Sequence, residues 1–156
     1  VTHPAPGNQS GTLVNALLNY IKKDNLSNIN SDHRPGIVHR LDKETSGLIV
    51  IAKNNQSHLH LANQFKDHTI SRKYRAIVWG VPSKQTIEGY IERHKINRKK
   101  MSLNKNQKGK FSKTHIKLIK SFNIASLIEC ELETGRTHQV RVHMTSINSP
   151  IIGATY

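Results

Sequence analysis

The chain has 156 residues, with 24 Lys and Arg against 10 Asp and Glu and a formal charge of +14, and its isoelectric point is near 10.2. That length suits one hydrophobic core, and the excess of positive charge favours a polyanionic partner, nucleic acid first. A single cysteine, Cys130, excludes an internal disulfide and a cysteine-based zinc site, and no apolar run approaches the roughly 18 residues of a membrane span.

No secretory signal is read at the start, so the cytoplasm is the expected compartment. No stretch pairs a strong apolar face with a basic one, which argues against a membrane surface.

In chain order, residues 1–10 are rich in Pro, Gly and Asn and read as a loop. Ser10 is placed to cap a short helix in which Leu13, Ala16, Leu17, Tyr20 and Ile21 recur as an apolar face. Lys22 to Pro35 is polar and is expected to be a flexible loop leading into the stretch on which the chain centres. That stretch, Gly36 to Ala52, reads GIVHRLDKETSGLIVIA.

Asp42 stands there among His39, Arg40 and Lys43. Nearby positive charge favours its ionised form, and an anion serves as a nucleophile or a base, not as a general acid. The alternative is an ordinary turn, with Asp42 capping backbone donors and Thr45, Ser46 and Gly47 making the bend. Leu48 to Lys53 is expected as a buried strand.

Asn54 or Asn55 can cap a helix running to about Lys66, with His58, Leu61, Ala62 and Phe65 on one side. His58 and His60 face different sides and make a poor metal pair, so no metal site is expected. Lys73 to Gly80 alternates as a strand, with Tyr74, Ala76 and Val78 on one face and Lys73, Arg75, Ile77 and Trp79 on the other. By spacing alone Tyr74 suits a core position or one stacked on a base.

Residues 92–113 are the most basic segment. They are expected to form a solvated hairpin tip or mobile loop that touches phosphates without specifying sequence. Thr114 to Lys120 and Ala125 to Glu133 alternate as strands, which puts Cys130 in the core beside Ile128 and Leu132. From Glu133 to Ile147 the period lengthens: Gly135 permits a turn, Thr137 can cap, and Val140, Met144 and Ile147 follow at helical spacing. Arg136 falls in the turn and Arg141 on the helix, where both could simply serve the surface.

Four stretches carry a family resemblance: HPAPGNQSGTLVNALL at His3 to Leu18, HRLDKETSGLIVIAK at His39 to Lys53, SRKYRAIVWG at Ser71 to Gly80, and ETGRTHQVRVHM at Glu133 to Met144. In this order they resemble the RluA-type pseudouridine synthases, and among these the RluD type, which modifies large-subunit ribosomal RNA. The resemblance implies an α+β fold with a mixed, mainly antiparallel sheet and flanking helices and loops. It also implies uridine isomerisation in RNA without a cofactor, by a monomer.

The resemblance assigns catalytic roles to Asp42, to Tyr74 against the target base, and to Arg141 as the partner of the aspartate. Arg40 would fill the space left by a flipped uridine or hold the displaced strand, and His39, Lys43, Lys73 and Arg136 would contact RNA. Arg136 is the lesser candidate for the aspartate's partner.

The last segment departs from the family pattern, with Ser149-Pro150 and Gly153-Ala154 where His-Pro and Gly-Asp are usual. The chain starts at Val1 inside a motif and ends at Tyr156. Residues 1–156 are therefore expected to be a catalytic domain incomplete at the C-terminus, with edge strands left exposed and no upstream S4-like RNA-binding module. Two other readings stand beside the isomerase: a noncatalytic ribosomal-RNA-binding remnant of such an enzyme, and a hydrolase using Asp42 as nucleophile toward another glycosidic bond.

Overall fold

The structure is a computed structural model that describes residues 2–4, 7–21, 25–29, 34–98 and 100–154. The chain gathers into two compact units, Val1–Ile70 and Ser71–Tyr156.

The first unit holds α1 (Leu13–Tyr20) and α2 (Asn55–Lys66). Thr12, not Ser10, caps α1. Its hydroxyl accepts from the Asn15 N–H while the Asn15 side chain accepts from the Thr12 N–H at 3.0 Å, a reciprocal box that satisfies two otherwise orphaned donors. Ser10 lies too early, because Gly11 turns the chain at φ +67° before the helix begins.

The buried stripe of α1 also differs from expectation. Val14 is buried, Leu17, Leu18 and Ile21 are partly buried, and Tyr20 is exposed. Positions 14, 17, 18 and 21 have the same helical spacing as the predicted set, so periodicity alone did not separate the two. For α2 the expectation holds: Asn54 accepts from the Ser57 N–H at 2.8 Å, and His58, Leu61, Ala62 and Phe65 are its sheltered side.

Within the polar stretch 22–35, residues 22–24 and 30–33 lie outside the described residues. Leu26 and Ser27 are buried and anchored, with the Ser27 N–H donating to Ala52 O and Ser27 O accepting from the Gly36 N–H. The expected buried strand at Leu48 to Lys53 is absent. Leu48 is 93% exposed and Val50 45%, and this run meets its neighbours through an isolated Ile37–Ile51 bridge and single bonds at Val50 and Ala52, not through a strand ladder. An apolar run becomes a strand only where a second strand meets it along its length.

The second unit is a five-stranded antiparallel sheet with one helix. Its strands are β1 (Lys73–Trp79), β2 (Gln85–Arg93), β3 (Met101–Asn104), β4 (Lys110–Ser121) and β5 (Ala125–Leu132), followed by α3 (Gln139–Ser146). They lie in the order β1-β5-β4-β2-β3. Val78, Ile87, Ile116, Ile128, Cys130 and Leu132 pack with Met144 of α3 as the core. The opposite face carries Lys73, Arg75, Glu129, Glu131, His115 and Lys117, as strand alternation requires. Residues 150–152 run along the outer edge of β1, where the Trp79 N–H donates to Pro150 O and the Ile152 N–H to Ile77 O.

The α+β class with a mainly antiparallel sheet is as expected, but the basic segment is not a mobile loop. β2 runs to Arg93, β3 crosses at 101–104 and β4 starts at Lys110. Lys and Arg are compatible with a strand face turned to solvent, and the apolar pairs Ile91–Leu103 and Tyr90–Phe111 hold the ladder together. The two aromatic rings meet edge to face at 5.7 Å.

Thr137 does not cap α3. His138 occupies the cap position at φ +55° without a side-chain bond, and Gln139 fixes the turn instead. Its Oε1 accepts from the Arg136 N–H at 3.0 Å and the Thr134 hydroxyl at 2.8 Å, and its Nε2 donates to Lys113 O at 3.0 Å and Thr114 Oγ1 at 2.8 Å.

Candidate active site

In the first unit the aspartate loop is closed at its neck by three layers. The Ala52 N–H donates to Gly36 O at 2.9 Å, Ile37 bridges Ile51, and the Val50 N–H donates to His39 Nε2 at 2.9 Å. The His39 ring also stacks on Phe65 of α2, with centroids 4.7 Å apart and planes inclined by 28°. Gly36 is required here: its φ is +71°, and a Cβ would stand 2.9 Å from both Ala52 O and Ile51 Cγ2.

Beyond the neck, Asp42 O accepts from the Thr45 N–H at 3.0 Å. This turn leaves Asp42 partly buried between exposed Arg40 and Lys43. The chain thus provides a short, pinned loop that presents the Asp42 carboxylate between Arg40 and Lys43.

In the second unit Tyr74 is partly buried, lies opposite Cys130 in the sheet and packs against the core cluster. Lys73 points to the other face, 3.9 Å from the Glu129 carboxylate and 3.8 Å from that of Glu131. Such exposed pairs hold a side chain only weakly. Arg136 is partly buried and donates from Nε to Phe111 O at 2.7 Å. Arg141 lies on α3, partly buried, with its carbonyl accepting from the Thr145 hydroxyl at 2.9 Å. Each unit thus gathers its own share of the expected residues: His39, Arg40, Asp42 and Lys43 in one, Tyr74, Arg136 and Arg141 in the other, with Lys73 turned away from Tyr74.

Sequence reading overlooked Arg72. Its Nη2 donates to Glu133 O at 3.3 Å, and its guanidinium covers Gly135, where any Cβ would collide with Nη1. Burial lowers its pKa, Tyr74 acts in the opposite direction, and Arg136 lowers it further, so Arg72 lies within electrostatic reach of both. The signal was its position next to Lys73 in the second motif.

His143, fully buried on α3, is scaffold. Ser112 donates its hydroxyl proton to Gly89 O at 2.8 Å, so His143 Nε2 donates to Ser112 Oγ at 2.9 Å. Burial pulls the imidazole's pKa down to about 4, which keeps it neutral.

Among the described residues no group of three or more His, Cys, Asp or Glu could hold a metal ion. No described helix is long and apolar enough to cross a membrane.

The profile of the RNA pseudouridylate synthase family matches residues 2–146. The chain belongs to that family. It is 54% identical over 154 residues to ribosomal large subunit pseudouridine synthase D of Zymomonas mobilis, covering 98% of this chain and 48% of that protein. It is 48% identical over 155 residues to an uncharacterized RNA pseudouridine synthase of Bacillus subtilis, covering 98% and 50%. These likenesses support the RluA/RluD-type resemblance read from the motifs.

The solved structure of human RNA pseudouridylate synthase domain containing 1 superposes with a TM-score of 0.73 at 25% identity, over 91% of this chain and 58% of that one. The chain spans about half the length of the curated relatives it matches. The synthase match runs through the aspartate loop, β1 and all of α3, so every expected site residue lies inside it.

Proposed function

We propose that the chain is the catalytic domain of an enzyme that isomerises uridine to pseudouridine in RNA, with large-subunit ribosomal RNA as substrate and the cytoplasm as its compartment. One observation carries the reading: a family match that takes in Asp42, Tyr74 and Arg141, with Asp42 on a loop pinned at its neck by His39 and Gly36. The charge of +14 fits a polyanionic substrate, and relatives named for the ribosomal large subunit support the choice of RNA.

In this account a uridine is flipped out of its helix, and Arg40 holds the displaced strand. Asp42 starts the reaction either by attacking the anomeric carbon or by removing a neighbouring sugar proton, and the bond from C1′ to N1 breaks. The uracil turns in place and rejoins through C5. The proton on C5 is lost and N1 gains one, so atoms balance without an added cofactor. Tyr74 stacks on the ring and assists loss of the C5 proton. Arg141 pairs with Asp42 and orients it, while Lys43, Lys73, His39 and Arg136 belong to the RNA-contacting surface. The enzyme acts as a monomer.

The test is tritium release from ribosomal RNA labelled at C5 of uridine. Release with retention of the base in the RNA supports isomerisation. Release of free uracil would indicate a hydrolase, and RNA binding without tritium release would indicate a noncatalytic binder.

A further inference from the structure

We infer that the cavity between His3 and the first part of the aspartate loop is a phosphate subsite, in which His3, Arg34 and Arg40 hold one phosphate of the RNA strand. The inference rests on the proposed RNA substrate and deepens it, by naming the group that anchors the strand beside the aspartate loop. The cavity measures about 430 Å³ and is lined by His3, Arg34, Ile37, Val38, His39 and Arg40, a size within the usual range for small-ligand sites, about 300–1,000 Å³.

Three observations point to an anion. His3 is only 7% exposed, yet its Nδ1 has no hydrogen-bond partner, and a buried polar atom in that state is waiting for one. Arg34 and Arg40 line the same cavity as His3: burial is the main cause of the imidazole's lowered pKa, and the two guanidinium charges add to it. Among the described lining residues there is no carboxylate to offset them.

The two guanidinium charges disfavour a proton on the buried His3 imidazole. An anion placed between them reverses that balance and draws a proton onto His3, whose Nδ1 then becomes a donor. A phosphodiester suits this set because a guanidinium fork grips two of its oxygens. His39 lines the same cavity, but its Nε2 already accepts from Val50, so the grip falls to the other three. Arg40 lies two positions before Asp42, which places the held phosphate next to the reacting nucleotide in the strand.

The test uses the full chain and two probes. Proton NMR of the His3 C2–H follows its titration with and without inorganic phosphate, and fluorescence anisotropy follows a single-stranded uridine-containing RNA across a salt series. The comparison is with Arg34→Gln, whose side chain is exposed, and with His3→Gln. Phosphate is expected to move the His3 midpoint upward in the wild type and not in Arg34→Gln. In both variants RNA affinity should fall about tenfold, and the log–log salt slope should shrink by about 0.7, the value for one phosphate on a single strand.

Affinity and slope unchanged in Arg34→Gln would overturn the inference. A His3 response to inorganic phosphate with an unchanged RNA slope would overturn the assignment to RNA backbone and leave a free-phosphate site. No tritium release by the wild-type chain, with both binding effects intact, would overturn the isomerase reading and leave the subsite standing.

Discussion

The backbone N–H of Val50 donates to Nε2 of His39 across 2.9 Å, and the face of that imidazole lies on Phe65. Nε2 is therefore the bare nitrogen of the ring, and His39 acts as a strut between α2 and the two ends of the aspartate loop. His39→Phe keeps a ring for Phe65 and removes the acceptor. A hydrogen bond of this kind contributes about 1 kcal/mol, so the Val50 amide should exchange with deuterium about fivefold faster, and turnover should fall. Unchanged exchange at Val50 would contradict the strut.

Gly36 at the base of the same loop combines φ +71° with no room for a Cβ against Ala52 O. Gly36→Ala is expected to cost about 2 kcal/mol, in the range for a residue forced into this backbone region. It should lower the thermal midpoint and loosen the Ala52 amide in exchange experiments. Wild-type stability in this variant would show that the neck tolerates a shift.

Stability should depend on pH through the buried histidines. Above pH 6.5 His143 is neutral in the folded and the unfolded chain. As pH falls below that value the unfolded chain takes up a proton and the folded chain does not, until the folded value of about 4 is reached. The stability present above 6.5 is lost across that window, on the order of 3 kcal/mol for this one residue. His58, buried with its pKa lowered by burial, adds loss of the same sign. Urea midpoints measured from pH 7.5 to 4 should fall steadily, and the slope should flatten in His143→Gln. Midpoints independent of pH would contradict the burial of these imidazoles.

Cys130 lies opposite Tyr74 and Ile116 in the sheet with no exposed surface. Burial, with the neighbouring Glu129 charge adding to it, pushes its thiol up to about 12. The thiolate is the reactive form, so the native protein should resist a thiol reagent such as DTNB at pH 8 and react fully in urea. Rapid reaction without denaturant would place Cys130 outside the core.

The sequence was most readable where pattern and partner coincide. The faces of β1 and β5, the position of Cys130 and the Asn54 cap of α2 followed from alternation and capping rules, because the residues that enforce them lie within a few positions. Leu48 to Ala52 misled for the opposite reason: its composition is that of a buried strand, while its pairing depends on where Gly36 and Ile37 lie.

Within the expected hairpin, strand β3 was hidden by charge, since Arg98, Lys100, Lys105 and Lys108 flank its four residues. At the site, motif order pointed to Asp42, Tyr74 and Arg141, but not to contacts that depend on distance. The His39 strut and Arg72 over Gly135 became visible only with coordinates.

The central claim is that the carboxylate of residue 42 starts the reaction. Asp42→Asn removes the charge and keeps the side chain's shape. Assayed on C5-tritiated ribosomal RNA beside the wild-type chain, it should release no label above background while binding the RNA with affinity within about twofold, since phosphate contacts dominate binding. Label released by the asparagine variant at a rate near that of the wild type would contradict the account.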